Sequence, residues 1–236
     1  MEKKQLELCR EVLRRFHAHG LLKDFILVGS WAAYFYNEYF SGVTKAERIT
    51  IKTRDIDFLI SNPLGIKSEV DIPKLLEDLG FLIVFKGSEG YIKLDHPDLI
   101  LEFLVAEKGK GEDKPVPLPR LGVNATALRF LNFLSDNVIK VKVDNLVIAL
   151  PHPANFALHK LIIYQRRSRQ EKADKDFNTA ISVLNSLIAK GEVEIIKTVF
   201  YSISVKWQRK IIKGLEQRGE KDILGILKQI STNNKK

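Results

Sequence analysis

Apolar positions recur every three to four residues from Lys3 to His19, where Leu6, Cys9, Leu13 and Phe16 share one stripe and Gly20 follows. That spacing predicts an amphipathic helix closed by a glycine. Phe25-Ile26-Leu27-Val28 is a continuous apolar run that stops at Gly29-Ser30 and gives way to Trp31-Ala32-Ala33-Tyr34-Phe35-Tyr36, which reads as strand, tight turn, helix. A polar segment, Asn37 to Thr50, delays the next strand, Asp55 to Ile60, which Asn62-Pro63-Leu64-Gly65 ends. Asp71-Ile72-Pro73 opens a short helix that Gly80 closes, and Phe81 to Lys86 with Tyr91 to Leu94 form a hairpin around Gly87-Ser88-Glu89-Gly90. Leu99 to Val105 is an apolar strand interrupted by one carboxylate, Glu102. Residues 106–123 form a Gly, Lys and Pro-rich loop, Asn124 is expected to cap a helix reaching about Leu134, and Val138 to Leu150 read as a second hairpin turning at Asp144-Asn145. Pro151-His152-Pro153 ends the sheet-forming half. The pattern is helical afterwards, through Phe156 to Leu161, Val193 to Ser204 and Lys206 to Arg218, with Ser231 to Lys236 as a frayed tail. Two domains are therefore expected, residues 1–152 and residues 153–236.

Composition narrows the class. A chain of 236 residues with 45% hydrophobic content can bury a substantial core. Its charged N-terminus and the lack of an apolar run of about 18 residues argue against a signal peptide or membrane span. Cys9 is the only cysteine, so an internal disulfide and the usual zinc spacings are excluded, a buried thiol is expected, and the cytoplasm is the expected compartment. The formal net charge of +9 is unevenly placed: residues 1–152 carry 21 basic and 21 acidic side chains, residues 153–236 carry 17 and 8. A neutral half joined to a basic half suits chemistry in one part and collection of a polyanion in the other; a solvated lysine-rich helical surface would look the same.

The candidate chemistry lies between Val28 and Phe58. A glycine lets backbone approach a ligand, the Ser30 hydroxyl adds a donor, and a helix N-terminus carries partial positive charge, so the Gly29-Ser30 turn suits a phosphate. Residues two apart in a strand share a face, so Asp55 and Asp57 project together while Ile56 and Phe58 point to a core. Two carboxylates so placed repel unless a cation lies between them, and oxygen donors favour magnesium or manganese. Glu102 in its apolar strand is either edge-exposed or paired with a cation; on a neighbouring strand it would complete three acids able to clamp an in-line phosphoryl displacement. The histidines, His17, His19, His96, His152 and His159, lack metal-ligand spacing. Trp31 and Tyr34 fit core positions better than base-stacking ones. A sugar-nucleotide glycosyltransferase also uses an Asp-x-Asp pair, but the preceding Gly-Ser turn and the later Glu102 argue against it.

Val28-Gly29-Ser30, Asp55-Ile56-Asp57 and Leu101-Glu102-Phe103 together resemble the nucleotidyltransferase superfamily with the polymerase-beta-type fold. The resemblance implies an α+β fold, a mixed sheet backed by helices, followed by a C-terminal helical region. It implies Mg2+ (or Mn2+) held by Asp55 and Asp57, with Glu102 helping to hold metal or activate the attacking hydroxyl. The Gly29-Ser30 turn would hold the NTP triphosphate. The interval from Ser30 to Asp55 is longer than in minimal members, Asn37 to Thr50 acting as an insertion. Further on, Phe156-Ala157-Leu158-His159-Lys160-Leu161, Arg166, Arg167 and Lys175-Asp176 are similar to the helical region of bacterial nucleotidyltransferases related to abortive-infection toxins. There, a lysine at the Lys160 position is expected to reach the triphosphate; Lys175-Asp176 matches a Lys-Asp pair that an ordinary helix surface would also supply. The expected reaction moves a nucleoside monophosphate to an acceptor hydroxyl on RNA, protein or a small molecule, with release of pyrophosphate. A toxin of a toxin-antitoxin pair acting on tRNA and a non-catalytic nucleic-acid-binding module are the alternatives.

Overall fold

The computed structural model describes residues 2–50, 53–87, 89–107 and 114–229. By internal contacts the chain divides into two compact units, one of Met1–Tyr39 with Ile49–Pro151, the other of Phe40–Arg48 with His152–Lys236.

The first unit is α+β. Helix α1 (Glu2–Ala18) leads through Gly20, at φ +68°, to strand β1 (Ile26–Val28) and helix α2 (Gly29–Tyr39). Asn37 near the end of α2 clips the following segment as a strand would, donating to the Ile49 carbonyl at 2.8 Å and accepting from the Ile49 N–H at 3.0 Å. Strand β2 (Asp55–Leu59) follows, then the short helix α3 (Ile72–Leu76), whose Asp71 cap accepts from the Lys74 N–H. Strands β3 (Leu82–Lys86) and β4 (Tyr91–Asp95) form the expected hairpin, and β5 (Ile100–Ala106) carries Glu102. The remaining elements are β6 (Val116–Leu118), β7 (Val123–Leu128), α4 (Asn132–Ser135) and the hairpin β8 (Val138–Val143) with β9 (Leu146–Pro151).

The mixed sheet runs β3-β4-β5-β2-β1-β9-β8. Strands β2 and β5 are parallel and in register over their central residues, and β1 runs antiparallel to β2. The far edge of β5 is shared: β4 pairs with its start at Ile100 and Leu101, and β7 with its end at Leu104 to Ala106.

Two sequence expectations fail here, one of them the loop of residues 106–123, within which Val116–Leu118 forms strand β6. The other, the helix from Asn124 to about Leu134, is instead strand β7 and the single turn of α4. The first half of β7, Val123 to Ala125, pairs with β6 and the second half, Thr126 to Leu128, with β5, and such non-local pairing overrides local propensity. Asn124 does not cap a helix. Its side chain accepts from the Ile92 N–H at 2.9 Å and donates to the Gly90 carbonyl at 3.0 Å, fastening β7 to β4.

One face of the sheet buries Ile56, Phe58, Leu101 and Phe103. Phe16 of α1 and Phe25 meet Phe58 at ring separations of 5.3 and 5.6 Å, and Phe58 stacks on Phe103 at 6.0 Å. Cys9 lies in this unit as a fully buried thiol, its pKa pushed up by burial. The other face is divided along its length. Leu59 and Leu104 are closed over by Leu131 and Leu134, which pack with Ile26 and Val28. Asp57 and Glu102, two residues back along the same strands, are partly exposed.

The second unit is helical: α5 (Pro153–Ile163), α6 (Gln170–Ala189), α7 (Val193–Ser202), α8 (Val205–Arg218) and α9 (Lys221–Lys228). Helix α5 is buried from Pro153 to Ile162. The Ser231–Lys236 tail and residues 108–113 of the Gly, Lys and Pro-rich loop lie outside the described residues. Among the described residues, no helix is long and apolar enough to cross a membrane.

Candidate active site

The site is built by register. Parallel pairing places Asp57 directly beside Glu102, and Asp55 beside Ile100, so all three acids rise from one face of two neighbouring strands. The adjacency of Glu102 to the paired acids, only a possibility in the sequence, is present. Antiparallel pairing on the other side sets Val28 against Asp57, and Gly29 follows at φ +69° as the first residue of α2. A Cβ on Gly29 would lie 3.3 Å from Asp57 Cγ and collide with its Oδ2. Glycine is thus required twice, for the left-handed backbone and for the space the Asp57 carboxylate fills. Gly29 and Ser30 open an eleven-residue helix whose first turn presents N–H groups beside those acids.

Supporting contacts fix the strand ends. Thr53 Oγ1 donates to Asp55 Oδ2 and accepts from the Asp55 N–H, both at 3.2 Å. Arg54 Nη2 reaches across to Asp95 Oδ1 at 3.0 Å and to the His96 carbonyl at 2.5 Å, while its own carbonyl accepts from the Ile100 N–H.

Glu102 has a partner that sequence reasoning missed. The register Leu94↔Leu101 brings Lys93 of β4 beside Glu102, and the two side chains form an ion pair with about a fifth of each exposed. The signal was a lysine between Ile92 and Leu94 in a short apolar strand, but its partner depends on which strands pair. Among the described residues, no three His, Cys, Asp or Glu side chains are gathered tightly enough to hold a metal ion as they stand.

Lys160 lies in the helical unit, buried on α5. Its Nζ donates to Asp176 Oδ1 at 2.5 Å, and Arg167 Nε donates to Asp176 Oδ2 at 2.7 Å. Burial alone would push the Asp176 carboxyl up, but Lys160 and Arg167 outweigh it and hold its pKa below the ordinary value. Asp176 is therefore a buried, doubly paired group rather than half of a helix-surface couple. His159, the residue before Lys160, is fully desolvated, with its pKa lowered to about 3 by burial and by Lys160. His152 caps α5, accepting from the Ala154 N–H at 3.2 Å. Trp31 is buried in the core, in edge contact with Tyr34.

A cleft of about 810 Å³ lies at the opposite end of β2 and β5, between Ile60, Leu64, Val105, Pro117 and Leu121, and receives none of the three acids.

The chain belongs to the nucleotidyltransferase family, whose sequence profile matches residues 7–197. Among curated proteins, none matches it. Among solved structures, it is similar to an antigenic nucleotidyltransferase-like protein from Paracoccidioides brasiliensis, at 15% identity over 94% of this chain and 92% of that one, with a TM-score of 0.52. It is also similar to the antibiotic-resistance factor ANT(2'')-Ia, at 14% identity over 86% and 94% of the two chains, with a TM-score of 0.48. At 15% identity the first of these likenesses is one of fold.

Proposed function

We propose that the protein is a metal-dependent nucleotidyltransferase that moves a nucleoside monophosphate from an NTP to an acceptor hydroxyl. The observation that carries this reading is the placement of Asp57 between Gly29 and Glu102: a carboxylate packed against the phosphate-type turn on one side and in register with a third acid on the other. The donor set fits a divalent ion, since it is all carboxylate oxygen on adjacent strands of one open face. Asp55 and Asp57 would hold Mg2+ or Mn2+, with Glu102 as the third ligand or as base. When bound, the metal offsets the charge of the triphosphate and polarises the reacting phosphoryl group.

In this reading the backbone N–H groups at Gly29 and Ser30 bind triphosphate oxygens, and the Ser30 hydroxyl adds a donor. Glu102 takes the proton from the acceptor hydroxyl as its oxygen bonds to the α-phosphorus. The bond from that phosphorus to the bridging oxygen breaks, and pyrophosphate leaves with the electron pair. Lys160 is assigned to the triphosphate through the family resemblance of its helix. The acceptor, whether RNA, protein or small molecule, is left to the test.

The test is transfer of label. Each α-labelled NTP is incubated with Mg2+ and either total cellular RNA or protein. Wild type should label one fraction, and Asp55→Asn with Asp57→Asn should label none. Equal labelling by both proteins, or none by wild type with any NTP, would favour a non-catalytic binding module on the same fold.

A further inference from the structure

The three acids share a face without being gathered tightly enough to hold a metal ion, and the row through two of them, Asp57 and Glu102, shows what Glu102 meets instead. Read across the sheet from β1, the row is Val28, Asp57, Glu102, Lys93 and Val84. Glu102 therefore has a carboxylate on one side and an ammonium on the other, and it is with the ammonium that it pairs. An ionised glutamate four-fifths buried in an apolar strand requires a counter-ion, and Lys93 is that counter-ion. The backbone that carries the lysine is anchored by bonds that do not involve its side chain. The pairing of β4 with β5 ends at Leu94, and Asn124 of β7 holds the backbone at Gly90 and Ile92, just before Lys93.

We propose that Lys93 is a positioning residue that occupies the third acid before substrate binds, so that the metal site is completed only when phosphate arrives. This rests on the reading of Asp55, Asp57 and Glu102 as the metal-binding acids. With Lys93 on Glu102, an incoming cation meets two carboxylates; with Lys93 drawn to a polyphosphate oxygen, it meets three. The ammonium is a flexible point charge on a four-carbon stem, suited to exchange one anion for another. Metal and triphosphate then bind cooperatively, each favouring the arrangement the other needs, and the coupling is reciprocal.

The probe is Mn2+, followed by electron paramagnetic resonance and calorimetry, with and without inorganic tripolyphosphate. Wild type should bind Mn2+ weakly alone and more tightly with tripolyphosphate. Lys93→Met should bind Mn2+ alone roughly tenfold more tightly and lose most of the tripolyphosphate enhancement, whereas Lys93→Arg should behave as wild type. The gain should vanish in Lys93→Met with Glu102→Gln, because the lysine acts through that carboxylate; double-mutant cycles isolate such a term. Unchanged Mn2+ affinity in Lys93→Met, or a gain that persists without Glu102, overturns the proposal. Asp57→Asn separates the two layers. If it leaves Mn2+ binding intact in the Lys93→Met background, the metal-site reading itself fails. If it abolishes binding while Lys93→Met alone changes nothing, only the role of Lys93 fails. Far-UV dichroism and melting on each variant show that the binding is measured on folded protein.

Discussion

Asp57 is set by two residues that have no polar side chain of their own. Val28 pairs with it across β1, and Gly29 leaves the volume its carboxylate fills. Gly29→Ala is therefore expected to cost about 1–3 kcal/mol of stability from the left-handed backbone and to displace the carboxylate as well. Urea denaturation checks the first effect, and loss of Mn2+-dependent NTP binding checks the second. Glu102 should behave differently, since it is asked to act on the reacting groups rather than to hold the fold. Glu102→Gln is expected to keep NTP affinity within a few-fold and lower turnover by on the order of a hundredfold. Full activity in that variant would remove Glu102 from the mechanism. At this scale the sequence was informative about which residues matter and mute about how they meet. Alternation alone puts Asp55 and Asp57 on one face, because strand period is a local property. That Glu102 stands beside Asp57, and Lys93 beside Glu102, depends on pairing between strands some ten to forty-five residues apart. No local pattern encodes that.

The same limit governs elements. The helix at the chain start, both hairpins and the short helix capped by Asp71 were legible because their signals, periodicity and turn residues, are internal to each segment. Strand β7 was not, because its partners lie on β5 and β6. Helix α5 shows the complementary case, a helix expected from its pattern whose polar residues acquire meaning only through α6. Lys160→Met should lower the melting point, since it leaves Asp176 buried with Arg167 as its remaining cation; the cost is about 1–3 kcal/mol. Adding Asp176→Asn should recover much of that. If Lys160 also reaches the triphosphate, the double variant will still bind NTP about ten- to a hundredfold more weakly despite the restored melting point. Wild-type affinity in the double variant confines Lys160 to the fold. Acid sensitivity follows from the same helix. His159 has a folded pKa of about 3 against an ordinary 6.5, so between those values the unfolded chain takes up a proton that the folded chain does not. Its contribution is complete above pH 6.5 and is lost as pH falls from there. His152, lowered by burial, acts with the same sign, and Asp176 adds its own loss only as pH falls below the ordinary carboxylate value of 3.8. Unfolding free energy should thus decline from pH 6.5 to 4.5, and His159→Leu should reduce that slope by up to about 1.4 kcal/mol per pH unit. An unchanged slope would place the sensitivity elsewhere.

Over the whole molecule, the charge asymmetry is the feature most open to a functional reading, and the structure changes which residues should carry it. Arg167 belongs to the basic half but is tied to Asp176, so its removal would disturb the helical unit itself. Arg218, Lys228, Lys190 and Lys197 are likewise engaged, with Asp174, Glu216, Glu192 and Glu194. Helix α8 offers a better stripe: Lys206, Arg209 and Lys213 are exposed and share a face at spacings of three and four. If the acceptor is RNA and this stripe tracks its backbone, affinity should fall steeply with salt, because each neutralised phosphate of a single strand contributes about −0.7 to the slope of log K against log salt. Replacing Lys206, Arg209 and Lys213 by alanine should then weaken binding to all RNA sequences alike and reduce the slope by about 2. Fluorescence anisotropy on a labelled RNA over a series of salt concentrations measures both quantities. The same variant should keep Mn2+ binding unchanged, because none of the three lysine and arginine side chains belongs to the sheet that carries the acids. A flat salt response in wild type, or a slope untouched by the triple substitution, would remove nucleic acid from α8 and leave its charge as a solvated surface.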